Sequence, residues 1–555
     1  MHRNRPATDS PDSGLVATFS LAALILAASA SAHPVTIDHS IGDWMTSGPP
    51  IMNLGEFVRG SGQVGEYVWV DVPDDHGTDL FSVPGADLRQ FRVTADATRL
   101  YFLVRTASTA WDNPFPSYQI AVDLDRATSS GQTSFAGFAD TQVAADAAWE
   151  FLIQTRYAPT FSVVVLDPAF NTVATGAVET PGAGTTAWFE IAVDWSSLGL
   201  DGPPSTPLRI TVASFLERFE EPGVTWDIGG PSVSNAIDAL TNYGDPRSSA
   251  FPATAVEIAD QVVDYHVDVW FASDGDVMSP LLISEVLSDA PASGVEWVEL
   301  QARVPIGLEG FRIGDEETPD GAEGMAVFPA GATASPGQSI VVTNFGTSFT
   351  GFYGFPPTFE TSGTDLSIPD LVADGAWAST AAFGLVNAGD EVIVLDPSWT
   401  VLDVYRYGAG FWPSTGATTV PAQGRSYERV PPVLDSNASS DFRLQTSPTP
   451  GSGPVAVEPP TAPTWLALST PWPNPARTHV RWSIQLAREC RVRLEVFDLM
   501  GRRMCSLMDS SMPAGAHDVV WDLKDDRGRP VGAGRYEARL TDGRSIARRS
   551  MIRIP

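Results

Sequence analysis

Six runs in the first half of the chain alternate apolar and polar residues with a period of two, and each is bounded by Gly, Pro, Asp or Ser. They are RLYFLVRT (99–106), SYQIAVDLD (117–125), WEFLIQT (149–155), FSVVVLD (161–167), WFEIAVDW (188–195) and LRITVASF (208–215). A period of two sends successive side chains to opposite faces of a strand, and the bounding residues supply tight reversals. Several such strands at short spacing predict an antiparallel sandwich. The 48 glycines and 45 prolines suit many short strands better than long helices, and stretches rich in Glu, Lys and Leu are nearly absent. The expected fold class is all-β.

A chain of 555 residues is too long for one core, and about three domains is the ordinary expectation. Arg3 and Arg5 precede the apolar run Leu15–Ala28, which Ala30-Ser31-Ala32 follows. That order reads as a secretory signal over 1–32 with cleavage before His33. No later run approaches spanning length, so no transmembrane segment is expected after cleavage. The expected location is secreted or cell-surface. TPGSGPVAVEPPTAPT (449–464) is dense in Pro and Gly, and 452–465 reads as a semi-rigid linker.

Charge divides at that linker. From Pro463 onward there are 16 basic and 10 acidic residues, whereas the remainder carries 18 against 57. Nucleic acid is a poor partner for such a body, because phosphate neutralisation needs clustered cations. Divalent cations, neutral glycans or simple solubility suit it better.

Three resemblances follow from ordered motifs. IDHSIGDW (37–44), LYFLV, IAVDLDRATSSG and WFEIAVDWSSLGL ahead of LRITVASF resemble the carbohydrate-binding fold of family-nine-like modules and DOMON domains, over 33–276. LLISEVLSDAPASGVEWVELQ (281–301) resembles the first hairpin of a lamin-tail domain, with Glu285 and Glu299 at its two acidic positions. LEGFRIGD, PAGATASPGQSIVVTN, LVNAGDEVIVLDPSWTVLDVYRYG, GRSYERV and the closing TPG (449–451) continue that order, so 280–451 is expected to form an immunoglobulin-like sandwich. The stretch Gly351–Thr380, rich in Pro, Gly and Ser, looks like an insertion. Over 466–555, Pro473-Asn474-Pro475, Phe497-Asp498 with Gly501-Arg502, Ala514-Gly515 with His517 and Trp521, and Gly528 through Gly534-Arg535-Tyr536 resemble the C-terminal sorting domains of type IX secretion and the similar FlgD-type immunoglobulin-like repeat. This resemblance implies a surface-sorting address read by outer-membrane secretion machinery. The whole is expected to be three β-sandwich domains after a signal peptide.

Chemistry is sparse. The seven histidines include no metalloprotease pair, and neither a nucleophile elbow nor a phosphate loop occurs. Glu296 and Glu299, imagined as a glycosidase pair, fall on opposite strand faces because their spacing is odd. Cys490 and Cys505, on a hairpin closed around Leu499–Gly501, sit about four positions out of register, which is roughly 13 Å along a strand. Two buried thiols are expected rather than a disulfide.

Two groups of candidate ligand-binding residues remain. Trp69, Trp111, Tyr118 and Trp226 fall in or near loop-like segments, where a flat ring can bury the apolar face of a sugar. Asp123 and Asp125 share one strand-end face before a polar loop, a pattern that suits calcium; ordinary turn chemistry is the competing reading. The functional expectation is a non-catalytic surface protein, glycan-binding or adhesive, with polysaccharide or surface glycan as partner. A structural surface-layer or matrix component and an accessory of an extracellular polymer-degrading enzyme are the alternatives.

Overall fold

The computed structural model describes residues 33–554 apart from 39, 46–50, 61–63, 72–84, 109–114, 129, 158–159, 180–187, 219–220, 226–235, 242–260, 320, 452–465, 469–470, 472–475, 487–489, 499–501, 514 and 542–545. The signal-like segment, the linker, Trp111 and Trp226 lie outside the described residues. The chain divides into two compact units, Met1–Val455 and Ala456–Pro555. Both are built from strands, and the all-β expectation holds.

In the first unit the alternating runs become strands as the sequence implies. One sheet orders Glu56–Arg59, Gly65–Val70, Leu88–Ala95, Arg99–Thr106 and Trp188–Asp194, all antiparallel. A second orders Thr172–Val178, Ser162–Leu166, Phe151–Arg156, Phe115–Asp123, Leu208–Arg218 and Val267–Val269. Leu100, Phe102 and Val104 share one buried core with Ile120, Val122 and Ile210. The alternate residues Tyr101 and Leu103 are buried too, under Val35 and Trp44. Trp44 is fastened there by its indole N–H, which donates to the buried Glu190 at 2.7 Å.

The stretch 280–451 forms a further pair of sheets. Val401–Gly408, Gly389–Leu395, Arg312–Gly314, Gly321–Val327 and Val372–Ala373 make one. Phe359–Glu360, Ser339–Thr343, Trp297–Ala302, Leu281–Leu287, Ser426–Arg429 and Phe442–Gln445 make the other. The stretch that looked like an insertion is woven into both sheets: Phe359–Glu360 and Val372–Ala373 each add an edge strand, and the α-helix Gly346–Tyr353 runs into it. Phe349 on that helix packs into the core beside Trp297.

The two stretches share one apolar core, which runs from Phe57 to Phe442. Glu56 bridges to Val401, and the Arg59 guanidinium donates to Asp276 and to the Val277 carbonyl, each at 2.6 Å. Gly65 lies at the same junction, where a Cβ would stand 1.9 Å from the Val277 carbonyl oxygen, so only glycine fits.

The second unit is a small sandwich with its own core. Leu466–Leu468, Val480–Leu486 and Gly515–Trp521 form one sheet, and Arg503–Met512, Cys490–Asp498, Gly534–Thr541 and Ile546–Arg553 the other. Trp482, Trp521, Leu494 and Tyr536 are buried between them. Both cysteines are free; Cys505 is buried, and burial pushes its thiol up to about 12. Several basic residues make ion pairs at the surface, such as Arg491 with Asp509 at 2.9 Å and Arg529 with Asp525 at 2.8 Å. Such pairs each contribute little to stability.

Candidate functional site

The strand Phe115–Asp123 lies between Leu208–Arg218 and Phe151–Arg156, with Val122 opposite Phe151. That register sets Glu150, the residue before Phe151, beside the end of the neighbouring strand at Asp123. Asp123 Oδ1 accepts the backbone N–H groups of Asp125 at 3.0 Å and Arg126 at 2.6 Å, an Asx-type turn. Asp125 accepts the N–H of Ala127 at 2.8 Å, and both its oxygens stand 2.9 Å from the Ser130 hydroxyl. Ser130 Oγ is also 3.3 Å from Glu150 Oε1, while Glu150 Oε2 accepts the Leu124 N–H at 2.8 Å.

One carboxylate oxygen from each of Asp123, Asp125 and Glu150 lies within 4.8 Å of the other two. Asp123 is 1% exposed, and its Oδ2 has no hydrogen-bond partner. Burial, opposed by the Arg126 N–H and reinforced by the Glu150 charge, pushes the Asp123 carboxyl up to about 6. Burial also raises Glu150, with the Asp125 charge adding to it. The two aspartates noted in the sequence thus meet, and the third carboxylate, Glu150, was hidden because strand register carries no signature in the sequence.

The aromatic candidates need correction. Trp69 is not in a loop: it sits on strand Gly65–Val70 opposite Phe91, is 0% exposed, and donates its indole N–H to the Thr241 carbonyl at 2.8 Å. Tyr118 is likewise 0% exposed in mid-strand, 4.9 Å from the Phe189 ring, with its hydroxyl donating to the Gly85 carbonyl. Neither ring offers a face to a ligand.

A polar surface cavity of about 630 Å³ lies elsewhere on this sandwich, lined by Asp96, Arg99, Tyr101, Asp194 and Asp201 among others. Asp96 accepts the backbone N–H of Thr98 at 2.6 Å and of Arg99 at 2.8 Å, and the Tyr101 hydroxyl at 2.7 Å. Burial works upward on this carboxyl, but those hydrogen bonds hold it below its ordinary range. Arg99 pairs with Asp194 at 2.8 Å, and both are exposed.

Glu285 and Glu299, on the hairpin of strands Leu281–Leu287 and Trp297–Ala302, stand directly opposite each other, both buried. Glu285 accepts from the Ser426 hydroxyl and from Thr449 Oγ1 at 2.9 Å; Glu299 accepts from Ser284 at 2.7 Å and from the Gly451 N–H at 2.8 Å. They clasp the closing Thr-Pro-Gly to the hairpin. Glu296 precedes the strand and is half-buried, with its pKa raised mainly by burial. Asp276 serves the junction, accepting the Gly65 N–H at 2.8 Å as well as Arg59.

No family model matches the chain, and no curated protein matches it. Among solved structures, it is similar to dimeric latent PorU from Porphyromonas gingivalis, at 12% identity and a TM-score of 0.17, over 90% of this chain and 34% of that one. It is also similar to PorZ of the same organism, described as a surface component of the type-IX secretion system, at 10% identity and a TM-score of 0.12, over 88% of this chain and 60% of that one. The S-layer protein rSbsC gives 10% identity and a TM-score of 0.13, over 83% of this chain and 53% of that one. The chain spans about a third of the length of PorU and less than two thirds of PorZ. At these scores the likenesses carry no assignment, and the site must be read from its own chemistry.

Proposed function

We propose that the chain is a non-catalytic extracellular surface protein whose N-terminal sandwich binds neutral glycan and whose C-terminal unit is a sorting module for outer-membrane secretion machinery. The observation that carries the glycan reading is the cavity at Asp96, Arg99, Tyr101, Asp194 and Asp201. The Asp96 carboxylate, fixed by backbone and phenol hydrogen bonds, and the Arg99 guanidinium, paired with Asp194, present the acceptors and donors that sugar hydroxyls need, without a net positive field. Hydrogen bonds to charged groups contribute about 1.5–3 kcal/mol each, so losing one is expected to cost about tenfold or more in affinity.

The test is a glycan-array screen of the secreted full chain, followed by titration of each hit with the parent, Arg99→Ala and Asp201→Ala. Binding that weakens about tenfold in either variant is the expected result. Hits that weaken instead in Trp111→Ala or Trp226→Ala would move the site to those aromatics. A folded protein with no hits would end the glycan reading and leave a structural matrix role. For the C-terminal unit, removal of 466–555 is expected to strand the remainder in the periplasm of a type IX-competent host; surface display of the truncated chain would refute the sorting role.

A further inference from the structure

We propose that Asp123, Asp125 and Glu150 form a calcium site that fastens the turn after strand Phe115–Asp123 to the start of strand Phe151–Arg156. This goes beyond the glycan reading and does not depend on it. The cluster of acids alone would not carry the inference. What does is the Asp123 side chain, 1% exposed, whose carboxylate belongs to the cluster and whose Oδ2 has no hydrogen-bond partner. A buried acceptor without a donor is costly, and native structures seldom leave one.

The geometry suits one ion. Calcium binds oxygens at about 2.3–2.6 Å, so two ligands on opposite sides of it stand roughly 4.8 Å apart. The three carboxylates each offer an oxygen inside that span. Ser130 Oγ, 2.9 Å from Asp125 and 3.3 Å from Glu150, stands beside them as a fourth oxygen. Asp125 is exposed, so water can complete the shell. A partly hydrated, irregular oxygen set of this kind suits calcium better than magnesium, which demands a near-octahedral shell at about 2.0–2.1 Å.

Among the described residues no cation makes an ion pair with these carboxylates; Arg209 faces Asp123 across the strand pair and its charge favours the ionised form, but its guanidinium is bound elsewhere. Arg126 turns its guanidinium to Asp268 at 3.3 Å, and Arg209 binds Asp268 at 2.8 Å and the Asp146 carbonyl at 2.7 Å. The other two acidic clusters differ. In Asp71, Asp87 and Asp238 the Arg89 guanidinium stands 2.7 Å from Asp87 and supplies the cation. In Glu317, Glu323 and Glu391, burial and a hydrogen bond with Glu317 push Glu391 up to about 9, so that carboxyl keeps its proton at neutral pH.

The experiment is calorimetric titration of the chelator-treated full chain with calcium chloride, repeated with magnesium. The expected dissociation constant lies at about 0.1–1 mM, the range of extracellular calcium modules. Asp125→Asn and Glu150→Gln are each expected to weaken binding about tenfold. Both side chains reach the surface, so the variants should retain the parent's circular dichroism. Glu317→Gln with Glu323→Gln should leave the affinity unchanged. Absence of binding up to about 10 mM, or equal affinity in the parent and both site variants, would overturn the assignment.

Discussion

Replacing Arg429 by alanine is expected to destabilise the N-terminal unit by about 3–5 kcal/mol, the cost of stripping one partner from a buried ion cluster. Arg429 ends strand Ser426–Arg429 and is 1% exposed. Its Nη2 donates to Asp403 at 2.6 Å, its Nε to the Ile283 carbonyl at 2.8 Å and its Nη1 to the Leu434 carbonyl at 2.8 Å. Asp435 and Asp441 stand 3.5 and 3.7 Å from the same guanidinium, which also lies 4.5 Å from the centre of the Phe442 ring. Burial works against the charge, yet Asp403, Asp435 and Asp441 more than offset it and raise the arginine pKa.

Alanine would leave those three buried carboxylates facing one another without a cation, and would open a void against Phe442. Lysine would restore the charge but not the planar fork that reaches Asp403 and two carbonyls together, so it should recover only part of the loss. Urea unfolding of the full chain, followed by far-ultraviolet circular dichroism, measures this. The transition of the N-terminal unit should move to lower urea while that of the C-terminal unit stays. A change under about 1 kcal/mol would mean that the cluster relaxes or hydrates once the arginine is gone.

Arg429 also shows where sequence reading stops. GRSYERV falls within the motif order of the expected sandwich, and a strand forms there, but nothing local tells a solvent-facing arginine from one that anchors three aspartates between 6 and 26 residues away. The same limit concealed Glu150, since the pairing of Val122 with Phe151 sets its place and register is decided by tertiary packing. Local period was reliable where both neighbours of a run were visible: RLYFLVRT became strand Arg99–Thr106 without adjustment. Tyr118 stands at the start of the run SYQIAVDLD, beside a loop-like segment, but the strand begins earlier, at Phe115, and runs through Pro116, so Tyr118 lies in its interior. Trp69 meets the same limit: it lies on strand Gly65–Val70, and the neighbouring strands that bury it are not visible from its own stretch of sequence.

The acidity of the first unit was legible as a count, but its consequence depends on burial, and the sign runs against the usual expectation for a carboxylate-rich protein. Stability of the N-terminal unit is expected to fall, not rise, between about pH 4 and pH 7. Burial pushes Glu56 from 4.5 up to about 7, despite hydrogen bonds from Ser414 and Trp412, and it pushes Asp396 and Glu285 to about 7 as well. Glu56 is 1% exposed and its Oε2 lacks a hydrogen-bond partner, which suits the protonated form. Below about pH 4 these groups hold their protons in both folded and unfolded chain, so they leave stability untouched. As pH rises the unfolded carboxyls ionise first, the folded state binds more protons than the unfolded one, and stability declines until the folded groups ionise near pH 7.

A fully buried group moved as far as Glu56 accounts for about 3 kcal/mol of that decline, and interaction among the groups keeps their sum below a simple addition. The C-terminal unit should not follow this trend: its Asp509, Asp522 and Asp525 are held below their ordinary range by hydrogen bonds from Arg491, Lys524 and Arg529, so it has no reason to weaken over this window. Urea titrations of the full chain at pH 5 and pH 8, with chelator present so that calcium does not mask the effect, give the comparison. The N-terminal transition should be the weaker at pH 8, and Glu56→Gln should flatten part of the difference. An N-terminal transition that strengthens from pH 5 to pH 8 would mean that these buried carboxylates are ionised in the folded protein and held by partners stronger than those seen.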